Sequence, residues 1–150
     1  MDSRDFLQTA RQLIDLPFRL ESNYRTSISR SYYSAFLRFQ FALSNQVSAR
    51  LLKQAQISQL GHEWIISALS RSETNEVAAI GMMLHNLRSW RHRADYNLRE
   101  EFVESEATEQ LKHAEEIHAA IDAFGLPKII AYMIQHIRNL AQLRMGTSSI

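Results

Sequence analysis

The chain has 150 residues, enough for one domain to bury an apolar core without staples, and it contains no cysteine, which excludes disulfides, thiolate metal sites and a cysteine nucleophile. A net charge of +1 gives no bulk attraction to nucleic acid, so any such contact must come from a local cluster. The bases are nearly all arginine, with lysine only at Lys53, Lys112 and Lys128; the arginine fork suits phosphate and carboxylate in a way that an ammonium does not.

Apolar content of 45% is that of a globular domain. No apolar run approaches the ~18 residues a membrane span needs. The opening MDSRDFLQTARQLIDL sets acids early and has no long apolar core, so it does not read as a signal peptide. The expectation is a soluble cytoplasmic protein, with no membrane, metal or cofactor.

Two prolines and four glycines in the whole chain, and no β-alternating run, point to an all-α fold, an antiparallel helical bundle. A first helix is expected from about Arg4 to Leu16, stopping before Pro17. The second, about Ser22 to Leu43, sets Tyr24, Ile28, Tyr32, Ala35, Phe36, Phe39 and Leu43 on one face and Tyr33, Leu37 and Phe41 on the opposite one. A helix apolar on two sides is central or faces a partner. A weaker helical region ends near Leu60, and Gly61 and His62 lead into EWIISALS. Ser72 or Thr74 can cap the next helix, expected to run to about Leu98.

Ser105 is expected to cap another, with Glu106 and Glu109 in its first turn. Its buried face is Leu111, Ala114, Ile117, Ile121 and Phe124, and Gly125 ends it. Pro127 suits the first turn of a final helix, Leu126 to about Arg144, with Ile130, Met133, Ile134, Ile137 and Leu140 on one face. No repeat or linker divides the chain.

One segment breaks the pattern. Val77, Ile80, Leu84, Leu87, Ala94 and Leu98 mark a buried stripe, and Arg91 falls at its centre with Asp95 one turn on. An exposed i,i+4 ion pair would be ordinary, but this face is the apolar one. A buried pair is costly to desolvate. It is either structural or justified by catalysis, RNA contact or a subunit interface. Arg88, His92 and Tyr96 lie on the flank of the stripe, with Arg93 further round. The flank thus gathers cations, an imidazole and a phenol within three turns, a set able to hold a phosphodiester and stabilise charge on it.

These residues also carry a family likeness. SISRSYYSAFLRFQFAL, GHEWIISALSR and LRSWRHRADYNLREEFVESEATEQLKHAEEIHAAID resemble the HEPN family (higher eukaryote and prokaryote nucleotide-binding domain), over about Asn23 to Phe124. The chain looks most like small stand-alone members with a YYxAF-like helix, a histidine after the loop and a terminal RxxADY. The resemblance implies a bundle that dimerises with its motif helices near the two-fold axis. It also implies RNA cleavage, toxin–antitoxin pairing and phage defence as a background. Active members have an arginine followed, after four to six residues, by a histidine. None of the six histidines here has an arginine at that distance upstream. The nearest match is Arg91, four residues, then Tyr96, and a phenol of pKa about 10 is a poor general base near neutrality.

Other constellations fail on spacing. His62-Glu63-Trp64-Ile65-Ile66 lacks the second histidine of a zinc protease helix. Glu115 and His118 make one Glu-x-x-His pair where a di-metal bundle needs two. His62 reads as a hydrogen-bonding residue at a helix start, and Tyr32, Tyr33, Phe36 and Phe39 as core and interface. Two functions are therefore expected. One is an RNA-acting homodimer, ribonuclease or binder, with Arg91, Asp95 and Tyr96 at its centre and Arg88, His92 and Arg93 on RNA. The other is a non-catalytic module, antitoxin-like or an accessory subunit, in which Arg91 and Asp95 lock an interface with a partner protein.

Overall fold

Local chemistry sets most of the helix ends. In the computed structural model, which describes residues 2–148, the helices are α1 (Arg4–Asp15), α2 (Glu21–Ser44), α3 (Ala49–Gln54), α4 (His62–Ser70), α5 (Asn75–Tyr96), α6 (Glu104–Phe124) and α7 (Leu126–Ser148). No strand occurs among the described residues, so the fold is an all-α bundle. The Asp2 carboxylate accepts from the Arg4 amide at 3.0 Å and starts α1. Leu16, before Pro17, is already extended. Gly125 sits at φ 106°, a conformation side chains resist, and α7 leaves α6 at a bend of 85°.

Four ends differ from the sequence expectation: α7 runs on to Ser148, past Arg144, and three others have a visible cause. The weak third helix stops at Gln54, because Gln56 turns the chain with φ 57°. The cap expected of Ser105 belongs to Glu106, whose carboxylate accepts from the Val103 amide at 3.0 Å, so α6 starts one residue before Ser105. Leu98 is not on the buried stripe: α5 ends at Tyr96 and Leu98 is 85% exposed. The cause is Arg25 of α2. Its guanidinium donates to the carbonyls of Ala94 at 2.9 Å and Asn97 at 3.0 Å, and also to that of Glu100. The terminal carbonyls of α5 are thereby satisfied and the chain turns.

Helix directions follow from these contacts. Arg25 of α2 meets the end of α5, and Tyr32, further along α2, meets Arg91, so α2 and α5 run antiparallel. The short connection from Asn97 to Val103 returns α6 antiparallel to α5. Helix α1 lies across α2 and α6, through Ser27 Oγ donating to the Ala10 carbonyl at 2.8 Å and through Arg4 with Asp122 and Arg11 with Glu115.

The apolar face of α2 is buried as its periodicity requires, from Tyr24 to Leu43, and the second face (Tyr33, Leu37) packs only partly. Helix α7 closes the main core with Ile129, Ile130, Met133, Ile137 and Ala141, while Ile134 and Leu140 pack at its margin. Two apolar clusters result. Ile28, Ala94 and Ala107 belong to the smaller, and Tyr32, Leu87 and Ala114, further along the same helices, to the larger. Between them the helices bury Ser31, Arg91 and Gln110. The core is thus interrupted by a polar layer from α2, α5 and α6, and Arg91 is part of it. No single helix is long and apolar enough to cross a membrane.

Candidate functional site

Arg91 lies in this layer with only 6% of its surface exposed. Its Nη1 is 3.5 Å from Asp95 Oδ2, and its guanidinium carbon lies 5.4 Å from the ring centres of both Tyr32 and Tyr33. These contacts offset desolvation of the cation by a carboxylate and two π faces. Asp95 also receives Ser29 Oγ at 3.4 Å. Arg91 Nε, Ser31 Oγ and both amide atoms of Gln110 are buried with no hydrogen-bond partner among the described residues. The pair expected from the sequence is therefore present, on the core side of α5, and its acid member reaches toward solvent.

Beside Arg91, α2 and α4 add a residue whose importance the sequence did not show. The Tyr32 hydroxyl is 2.6 Å from Nδ1 of His62, and the imidazole stacks on Phe36 at 4.2 Å between ring centres. Burial pushes the Tyr32 phenol above its ordinary range, against the smaller opposing pull of Arg88 and Arg91. The phenol stays protonated, and because its hydroxyl has no other acceptor among the described residues, the hydrogen bond is assigned with Tyr32 as donor and Nδ1 as acceptor. Burial, then Arg91 and Arg88, hold the imidazole below the usual histidine range. His62 is accordingly neutral near pH 7, with its own hydrogen on Nε2. In that tautomer it is a donor, not a base.

His62 and Arg88 line a cleft of about 810 Å³ walled by α2, α4, α5, α7 and the Ala55–Gly61 loop. The loop supplies Gln56, Ser58 and Gln59, α2 supplies Gln40, and α4 supplies Glu63, Trp64 and Ser67. Gln40 Nε2 donates to the Leu60 carbonyl at 2.9 Å, and the side-chain Oε1 of Gln56 accepts from Arg144 at 3.0 Å, which ties α7 to the loop. Arg88, half-buried, has no hydrogen-bond or ion-pair partner among the described residues. An unpaired guanidinium next to an imidazole N–H suits an anion.

The remaining candidates separate. His92 and Tyr96 face each other with ring centres 4.9 Å apart, and neither lines the cleft. Tyr96 is 66% exposed and makes no hydrogen bond among the described residues, to His92 or to any other group. Arg93 is committed elsewhere: its Nε donates to Glu100 Oε2 at 3.0 Å and its guanidinium lies 4.3 Å from the Trp90 ring. The side-chain bond to Glu100 raises the pKa of Arg93 and lowers that of Glu100. Arg93 thus braces the α5–α6 connection.

The Glu-x-x-His pair has also been absorbed into packing. Glu115 pairs with Arg11, and His118 lies between Ser34 Oγ (3.1 Å) and Arg38 Nη1 (3.2 Å). Arg38 can only donate, so His118 accepts at Nδ1 and donates from Nε2 to Ser34, the reverse of what a serine nucleophile requires. Among the described residues no group of three or more His, Asp or Glu side chains could hold a metal ion. Comparison of the chain with family models, with curated proteins and with solved structures gave no match.

Proposed function

We propose that this chain is a HEPN-like homodimer that binds RNA, in a toxin–antitoxin or phage-defence setting of the kind its resemblance implies. The observation that carries this is the unpaired Arg88 beside the neutral His62 on the wall of a polar cleft, with Arg91 behind them. Phosphate binding asks for donors without competing acceptors, and this corner supplies a guanidinium and an imidazole N–H. Binding is favoured over cleavage because the arginine–histidine spacing of active members is absent and Tyr96, in the histidine's place, makes no hydrogen bond among the described residues.

A binding and cleavage assay on labelled RNA, with wild type, Arg88→Ala and Arg91→Ala in parallel, tests the proposal. Arg88→Ala is expected to weaken binding and reduce the salt dependence by about one phosphate contact. Wild type that neither binds nor cleaves RNA would remove it.

A non-catalytic interaction module, antitoxin-like or an accessory subunit, is the alternative. It is favoured by one observation, that Arg91 is already held by Asp95 and two tyrosine rings. In that case Arg91→Ala alters assembly and leaves RNA out of the account.

A further inference from the structure

We infer that the end of the bundle formed by the α1–α2 and α5–α6 connections is a docking surface for a basic amphipathic helix of another protein. The inference does not depend on RNA binding. Ten large apolar side chains are exposed among the described residues, and five of them, Leu16, Phe18, Leu20, Leu98 and Val103, stand on these two connections of five and seven residues. Exposed apolar residues scattered singly are ordinary, but a cluster marks a contact surface. The two connections lie side by side: Arg19 Nη1 is 3.3 Å from Glu104 Oε2, and the Phe102 amide donates to Glu21 Oε1 at 3.4 Å.

The cluster is held in its exposed arrangement. Asn23 Nδ2 and the Leu20 amide both donate to the Phe18 carbonyl, at 3.1 and 3.0 Å, and Arg25 holds the carbonyls of Asn97 and Glu100. Phe102 packs inward against Trp90 and Arg25 and leaves Leu98 and Val103 outside. A surface already ordered loses little conformational freedom on binding.

Charge selects the occupant. Residues 15–21 and 96–106 carry six acids and two arginines. Arg25 and Arg93 of the flanking helices pair with Glu21 and Glu100, so the rim stays acidic in a chain of net charge +1. Asp15 and Glu101 are exposed with no ion-pair partner among the described residues. A second copy would bring acids against acids, and an anionic membrane surface would repel them. A basic partner is drawn in. No strand edge exists among the described residues to receive an extended peptide, whereas an amphipathic helix presents an apolar stripe between charged flanks, the complement of this surface.

The probe is a labelled helix of about 18 residues, leucine on one face and lysine on the other, compared by fluorescence anisotropy with the same helix carrying glutamate for lysine. Wild type is expected to bind the lysine helix about tenfold tighter than the glutamate helix. Phe18→Ser with Leu98→Ser is expected to weaken that binding about tenfold, and Glu101→Lys about threefold. The melting temperature should not change, because all three side chains are exposed. Phe41→Ser, at the opposite end of α2, is expected to leave the affinity as it is. Equal affinity for both helices, or variants that bind as wild type does, would overturn the inference. Sedimentation with phosphatidylserine vesicles that Phe18→Ser abolishes would overturn it in favour of a membrane. Self-association in light scattering that Phe18→Ser abolishes would do so in favour of a second copy. Each of these outcomes leaves the RNA proposal standing.

Discussion

Asp95 and Arg91 form a pair of unequal partners, and this sets what their loss should do. The Arg91 side chain is 8% exposed and that of Asp95 30%. Removing the arginine leaves a carboxylate that water and Ser29 can still satisfy, so the cost is chiefly lost packing on Tyr32 and Tyr33, about 1–2 kcal/mol. Removing the acid leaves a cation in the polar layer with two rings and no counter-charge, which costs about 3 kcal/mol, the lower end of the range because Asp95 is itself partly hydrated. Asp95→Ala is therefore expected to lower stability in urea more than Arg91→Ala does, and the double variant to recover part of the Asp95→Ala loss. Equal single losses would show that the two charges are buried alike. RNA affinity measured on the same three variants separates the functions: an arginine that serves RNA loses binding in Arg91→Ala even though the fold survives.

Among the elements, α5 depends on one small residue. A Cβ added at Gly81 would stand 2.5 Å from the Ser70 backbone nitrogen and 2.9 Å from the Leu69 carbonyl carbon, so the end of α4 crosses α5 where only hydrogen fits. Alanine would gain about 1 kcal/mol of helix propensity. Against that, the backbone of α4 must move, and overpacking of this kind costs about 1–3 kcal/mol. Gly81→Ala is expected to lower the melting temperature by roughly 3–6 °C; a rise would mean that α4 yields freely.

A second element, α6, is linked to pH through His118, which it packs against Ser34 and Arg38 of α2. Burial, then Arg38 and Arg4, push its pKa down to about 4, against the weaker opposing pull of Asp122 and Asp2. The unfolded chain, with an ordinary histidine, binds this proton near pH 6.5, so between those values the unfolded state holds more protons than the folded one. The stabilisation is fully present above about pH 6.5 and falls as the pH drops toward 4, by about 3 kcal/mol in all. His118→Gln is expected to flatten the pH dependence of the urea midpoint over that interval. An unchanged slope would show that other groups control it.

The elements were largely legible because their signals are local: Pro17, Gly125 and the 3.6-residue spacing of α2 and α6 place ends and faces within a residue or two. Leu98 was misread because the hydrophobic period continues past Tyr96, while the residue that ends the helix, Arg25, is distant in sequence. Arg91 was legible as an anomaly on an apolar face. Its setting was not: His62, Tyr32 and Arg88 come from three helices, and a pairwise contact between α2 and α4 leaves no periodic trace. His62 was legible as a hydrogen-bonding residue at the start of a helix, but its partner, Tyr32, was not.

At the scale of the whole molecule, α7 packs Ile129, Ile130, Met133 and Ile137 into its own bundle, and α5 carries exposed large side chains on its outer face. The outer side of α5 is unusual for an exposed helix. Met82 is 64% exposed and Tyr96 66%, and Ser89, midway between them, is exposed as well. These three are seven residues apart, two turns each, and therefore share one stripe. Two copies of such a stripe packed antiparallel about a two-fold axis at Ser89 bring Met82 of one subunit to Tyr96 of the other, twice, about 10 Å on either side of the axis. A thioether against an aromatic ring is a favourable contact, and serine at the centre lets the helices approach. The same axis brings the ends of the two α5 helices, with Asp95 and Tyr96, into the interface and leaves the cleft on the α4 side open. The expected result is a dimer by light scattering at micromolar concentration. Met82→Glu should place two acids against the facing rings and yield a folded monomer with an unchanged helical circular dichroism spectrum. A wild-type monomer would exclude the homodimer, and a dimer that tolerates Met82→Glu would move its interface off this face of α5.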